Sequence, residues 1–170
     1  AAENDRTGPE LRAQARYGQG MALLRLDRTD EAETLLRDIL RGDQSGPVRT
    51  SARLGLARIH ESEGRTQEAL KLYRSVLNGA DGETGAEALF RLGSLLRNQG
   101  QVQQAVEELQ RMPSLFAGYP EWNARALLEQ ARSYRQMGQT GQAVKLYEEV
   151  TTAHAGIPYA ETAREERSNL

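Results

Sequence analysis

Apolar positions along this chain fall at spacings of three and four, run into a turn residue, and then start again. The cycle repeats four times. The turns are Asp27, Gly64, Gly100 and Gly138, and five positions after each comes an alanine: Ala32, Ala69, Ala105 and Ala143, spaced 37, 36 and 38 residues apart. Offsets of three and four set side chains on one face of an α-helix. A fixed period of roughly 20–50 residues marks a stacked repeat architecture.

Each repeat reads as two helices. The first carries Leu89, Leu92, Leu95 and Leu96 in the third repeat, and Leu127, Leu128, Ala131 and Tyr134 in the fourth. The second carries Ala32/Leu36/Ile39, Ala69/Tyr73/Val76, Ala105/Leu109/Met112 and Ala143/Tyr147/Val150. These alanines, with Gly20, Ala57, Gly93 and Ala131 in the first helices, are small where two helices cross closely. Glycine suits the left-handed position past a helix end, and Thr29, Thr66 and Thr140 are placed to cap the helix that follows. Pro9, Pro47, Pro120 and Pro158 recur at one phase of the repeat, with Thr84 at that phase in the third, so proline is expected to open each first helix. Pro113 is expected to end the second helix of the third repeat. Polar links, Gly42 to Gly46 and Asn78 to Gly82, join the repeats.

The pattern Leu92-Gly93-x-x-Leu96…Gly100…Ala105-x-x-x-Leu109 resembles a tetratricopeptide repeat, and Ala131-x-x-Tyr134…Gly138…Ala143-x-x-x-Tyr147 resembles it equally. The resemblance covers about residues 9–157. It implies an all-α, tetratricopeptide-type α-solenoid, a right-handed superhelix of antiparallel helix pairs. The expected organisation is a flexible N-terminal segment over 1–8, repeats at about 9–46, 47–83, 84–119 and 120–157, and a terminal capping helix over 158–170. The period exceeds the family's usual length of about 34. The aromatic common early in the family's first helix is replaced by Arg16, Arg53, Leu89 and Leu127, and most repeats lack its closing proline. The C-terminal end, with Tyr119-Pro120-Glu121-Trp122, is loosely similar to tetratricopeptide proteins of the bacterial cell envelope. The compartment stays open, with periplasm or envelope slightly ahead of cytoplasm.

Composition changes the picture little. A net charge of -2 argues against a general polyanion binder, so no nucleic acid is expected. With no cysteine there is no thiolate metal site. No apolar run is long enough to span a membrane. Twenty arginines against two lysines fit a GC-rich genome. His60 reads as a packed histidine and His154 as a solvated one, neither with a second ligand at metal spacing, so no metal and no cofactor are expected. Gly18-Gln19-Gly20 lies inside a helical pattern and is no phosphate loop. The acid pairs Glu107-Glu108, Glu148-Glu149 and Glu165-Glu166 read as solvated faces. No nucleophile has a base at recognisable spacing, and the chain is not expected to be an enzyme.

In tetratricopeptide folds the first helices line a concave face. The resemblance places Tyr17, Leu54, Phe90 and Leu128 in one apolar row of that face, Met21, Arg58, Ser94 and Arg132 in a second, and Leu24, Glu61, Arg97 and Arg135 in a third. Packing against neighbouring repeats would explain the apolar row equally. The family's carboxylate-gripping lysine and asparagine are replaced in the first repeat by Tyr17 and Met21, so that clamp is absent. The expected function is a protein-interaction scaffold binding a protein or peptide with acidic and apolar side chains on the concave face. The alternative is a structural module, a segment of a longer solenoid or a self-associating homo-oligomer.

Overall fold

A computed structural model describes residues 3–42, 46–80, 82–156 and 158–170, with residues 3–7 as backbone only. Parts of the predicted links, Asp43 to Ser45, Asp81 and Ile157, lie outside the described residues, as do Ala1 and Ala2. Among the described residues ten helices follow one another, with no strand. They fall into two compact units, residues 1–80 and 81–170.

The N-terminal unit holds α1 (Glu3–Arg25), α2 (Thr29–Arg41), α3 (Pro47–Ser62) and α4 (Thr66–Leu77). Pro9 does not open α1: the helix begins at Glu3 and includes residues expected to form a flexible lead. The ring removes one backbone donor without ending the helix. The core of this unit is Ala32, Leu36, Ile39, Ala52, Leu56 and Ile59, with Tyr17 and Leu72 packed against it. Leu36 is fully buried. A Cβ on Gly20 would come within 3.4 Å of Leu36, and one on Gly55 within 3.0 Å. The leucine of α2 thus fills a space that two glycines leave open.

The C-terminal unit holds α5 (Gly82–Asn98), α6 (Val102–Leu109), α7 (Met112–Leu115), α8 (Pro120–Gln136), α9 (Thr140–Ala153) and α10 (Tyr159–Ser168). Pro113 sits in the first turn of the short α7, and α6 has already ended at Leu109. Proline has no N–H to bond back along α6, so the chain restarts as a new helix instead of continuing. The core here includes Leu127, Leu128, Ala131, Ala143, Tyr147, Val150 and Ala163. At Gly93 a Cβ would overlap Leu109, with the leucine methyls at 2.6 and 2.9 Å.

All four turns are built the same way. Asp27, Gly64, Gly100 and Gly138 have φ of 60°, 73°, 75° and 72°. The next N–H reaches back to close the helix: Arg28 to Leu23 O, Arg65 to His60 O, Gln101 to Leu96 O and Gln139 to Tyr134 O, at 2.8–2.9 Å. This six-to-one bond with a left-handed residue inside it satisfies carbonyls the helix end leaves open. The threonines do not cap. Arg28, Arg65 and Gln139 hold the cap positions with no side-chain cap bond, and Thr29, Thr66 and Thr140 are the first helical residues. The cap carbonyl accepts from the repeat alanine instead, for example Ala69 N–H to Arg65 O at 3.0 Å.

Ala105 is fully buried and Arg111 is exposed, paired with Glu108 at 2.5 Å. Ala105→Leu should therefore cost about 1–3 kcal/mol by overpacking. Arg111→Leu should cost less than about 1 kcal/mol, as for an exposed ion pair. Urea melts of the two variants check this order.

Candidate interaction surface

The twelve positions expected to line the concave face divide between the units. In the N-terminal unit Tyr17 and Met21 are half-buried, Leu54 is buried and Arg58 is exposed. In the C-terminal unit Phe90 is half-buried, Leu128 is buried and Arg135 is exposed. Leu54 and Leu128 therefore serve packing first. Phe90 and Leu128 do come together with Arg132, in a pocket of about 240 Å³ completed by Arg125, Tyr159 and Thr162. Among the described residues two guanidinium groups and two hydroxyls line it and no carboxylate does, although Glu121, Glu129 and Glu166 bond those guanidinium groups from outside the pocket.

Arg125 anchors an aromatic cluster. Its guanidinium carbon lies 4.4 Å from the Trp122 ring centroid, 5.0 Å from Tyr159 and 5.9 Å from Phe90. Phe90 and Trp122 meet with centroids 5.6 Å apart. Cation–π contacts of this kind favour a guanidinium lying on a ring face. Arg125 also donates to the Tyr159 hydroxyl at 2.5 Å and to Glu121 at 3.1 Å. The three rings come from α5, α8 and α10, so no spacing in the sequence announces them.

Two of the arginines in the expected rows, Arg97 and Arg132, are paired with carboxylates from within. Glu129 is buried and accepts from Arg97 at 2.8 Å and Arg132 at 2.5 Å. Arg132 also grips Glu166, with bonds of 2.5–3.0 Å, and the Tyr147 hydroxyl donates to Glu166 at 2.9 Å. Glu166 is thus not a solvated face, as its pairing with Glu165 in the sequence suggested. Burial alone would push its carboxyl up, but the bonds from Arg132 and Tyr147 outweigh that and hold it below the usual range. Burial, then the bond to Glu166, pushes the Tyr147 phenol up to about 12. The Glu129/Arg132 pair has helical i,i+3 spacing and was legible. The pairings of Arg97 with Glu129 and Arg132 with Glu166 cross 32 and 34 residues.

A similar knot lies in the N-terminal unit. Glu33 accepts from Arg65 at 2.8 and 3.2 Å and from Arg37 at 2.5 and 2.9 Å. The Arg65 bonds, reinforced by Arg37 against the cost of burial, lower its carboxyl to about 2. His60 is buried as expected, its Nε2 3.4 Å from Glu33. His154 is half-buried at the end of α9, not fully solvated. Neither joins a group of three metal-type ligands among the described residues. No helix described is long and apolar enough to cross a membrane.

Comparison with known families settles the class of the repeats. Tetratricopeptide repeat families match residues 1–47 and 17–84, 60–124, and 125–156. The chain is a tetratricopeptide repeat protein. Its fold is the all-α solenoid of helix pairs that such repeats build. Similar solved structures include pilF of Pseudomonas aeruginosa, 23% identical with a TM-score of 0.74, covering 95% of this chain and 72% of that one. A tetratricopeptide repeat protein from Parabacteroides merdae is 20% identical with a TM-score of 0.72, over 89% of this chain and 57% of that one. YrrB, described as a TPR protein with an unusual peptide-binding site, is 18% identical with a TM-score of 0.68, over 90% and 74%. At these identities the likeness is one of fold. No curated protein sequence matches the chain.

The tetratricopeptide protein should show an acid limb set by Glu33. A carboxyl held lower in the folded state stabilises above its unfolded value of 4.5, and that stability is lost as pH falls toward about 2. Glu33→Gln should lower the urea midpoint near neutral pH, and the gap to wild type should close between pH 4.5 and 2. Urea titrations across that range check it.

Proposed function

We propose that this tetratricopeptide protein is a non-catalytic interaction scaffold. It binds a peptide or partner segment carrying acidic and apolar side chains on the face formed by its first helices. The observation that supports this reading is the pocket at Phe90 and Leu128, lined by Arg125 and Arg132 with no carboxylate. An apolar side chain can lie on Phe90 while a carboxylate takes charge-assisted bonds from a guanidinium. Arginine and aromatic residues are also the types that carry most binding energy at interfaces. Micromolar affinity needs only about 8 kcal/mol net. Arg135 would extend the contact within the C-terminal unit, and Met21 and Arg58 would offer a contact of their own on the first helices of the N-terminal unit. Tyr17 and Leu54 would contribute mainly as packed walls.

A second reading, a structural module that stacks or self-associates, draws support from α10, which packs on α8 and α9 as the first helix of a further repeat would.

Selection from a random peptide library tests the first reading. Peptides retained by wild type should combine an acidic with a large apolar residue and bind Phe90→Ala/Arg125→Gln at least about tenfold more weakly, near 1.4 kcal/mol. This pair leaves the Arg132 network intact. A consensus without acids, or equal binding to both chains, contradicts the proposal.

A further inference from the structure

A space that a side chain fills in one repeat lies open at the same register of another. In the C-terminal unit Tyr134 stands three residues after Ala131, and its ring packs against the cluster of Leu128 and Tyr147. Its hydroxyl accepts from the Gln110 side-chain amide at 3.4 Å. In the N-terminal unit the corresponding residue, three after Ala57, is His60. Gln110, five after Ala105, corresponds to Arg37, five after Ala32. An imidazole is smaller than a phenol, and beside His60 a pocket of about 410 Å³ opens between α2, α3 and α4. Pockets of this size hold small molecules.

The pocket is apolar at its floor and cationic at its rim. Leu56 is buried, and Leu40 and Leu72 are half-buried against the same core. His60 is buried as well, and neither ring nitrogen makes a hydrogen bond, although Nε2 lies 3.4 Å from Glu33. With no hydrogen bond to fix it, the imidazole can turn to lie against a second ring. Three exposed cations, Arg37, Arg41 and Lys71, share the rim with one exposed carboxylate, Glu68. Arg37 is paired with Glu33, and Arg41 with Asp38 at 3.0 Å. Exposed pairs of this kind are weak, so a second carboxylate can share the cation. Lys71 makes no ion pair among the described residues. Where Gln110 offers Tyr134 a neutral amide, Arg37 offers a charge. A register that takes a phenol in one unit therefore suits, in the other, a ring that ends in an anion.

We propose that this pocket is a binding site for a small aromatic carboxylate. The ring lies among Leu40, Leu56 and Leu72 against His60. The carboxylate takes charge-assisted hydrogen bonds from Lys71 and a rim arginine. The site goes beyond the scaffold reading: it belongs to the N-terminal unit and shares no lining residue with the pocket at Phe90.

The two lysines of the chain supply the test. Lys71 and Lys145 hold the same register, two after Ala69 and Ala143, so Lys145 is an internal control. Reductive methylation with ¹³C-formaldehyde keeps their charge and gives each its own NMR signal. 2-Naphthoate should shift the Lys71 signal saturably, at millimolar concentrations or below, and leave Lys145 in place. The neutral 2-naphthamide and the aliphatic octanoate should each bind at least about tenfold more weakly. His60→Tyr puts the ring of Tyr134 into the space and should weaken naphthoate at least about tenfold, with helical circular dichroism unchanged. Lys71→Gln, at an exposed position, should weaken it at least about threefold by saturation-transfer NMR. Equal shifts of both lysines would overturn the proposal. So would naphthoate and its amide binding alike, or either variant binding as well as wild type. A peptide ending in phenylalanine that shifts Lys71 where naphthoate does not would give the pocket to a peptide and equally overturn it. None of these outcomes bears on the library selection, which reads Phe90 and Arg125.

Discussion

Everything in this molecule rests on how closely two helices of a repeat can approach. Gly93 faces Leu109 with no room for even a methyl group, and Gly20 and Gly55 leave the space that Leu36 fills. Interiors pack at crystal-like density, so a knob of one helix needs a hole in the other. Here the hole is the missing side chain of a glycine or the short one of an alanine. Ala57, Ala131 and the four repeat alanines are fully buried for the same reason. A turn of fixed geometry delivers each second helix to that crossing. Its left-handed residue and six-to-one bond are reproduced at Asp27, Gly64, Gly100 and Gly138.

Charge is the second organising element, and it follows the period. The pairs Arg65–Glu33, Arg97–Glu129 and Arg132–Glu166 span 32, 32 and 34 residues, close to one repeat. Each ties a side chain of one repeat to the next helix pair. These arginines are mainly structural, and a partner would have to compete with internal carboxylates for them. Arg125 differs in degree: it lies on aromatic faces beside the pocket, and the one carboxylate bonded to it, Glu121, is exposed. That contrast narrows the candidate interaction surface from three rows of first-helix residues to a compact site around Phe90.

The helices were legible in the sequence because periodicity and small-residue crossings are local signals. The placement of Ala105 opposite the first helix, and of Gly100 past its end, needs only spacing. Capping was misread. Thr29, Thr66 and Thr140 have the right chemistry, but the turn closes one residue earlier and hands the cap to Arg28, Arg65 and Gln139. The break before Pro113 was visible, but the helix α7 that follows it was not. The candidate site was half legible. Phe90, Leu128 and Arg132 follow from matching rows of the repeat, whereas Trp122, Arg125 and Tyr159 join them only because α5, α8 and α10 converge. Glu166 looked like part of a solvated charged tail, since nothing near it in sequence signals Arg132.

A double-mutant cycle on Gly93 and Leu109 tests the central constraint most directly. In the wild-type background Gly93→Ala should destabilise, because the new methyl meets Leu109. With Leu109→Ala in place the clash is gone, and the same change should stabilise by up to about 1 kcal/mol, the helix preference of alanine over glycine. A sign change between the two backgrounds is the predicted result. If Gly93→Ala has the same effect in both, close approach at this crossing is not what the fold depends on.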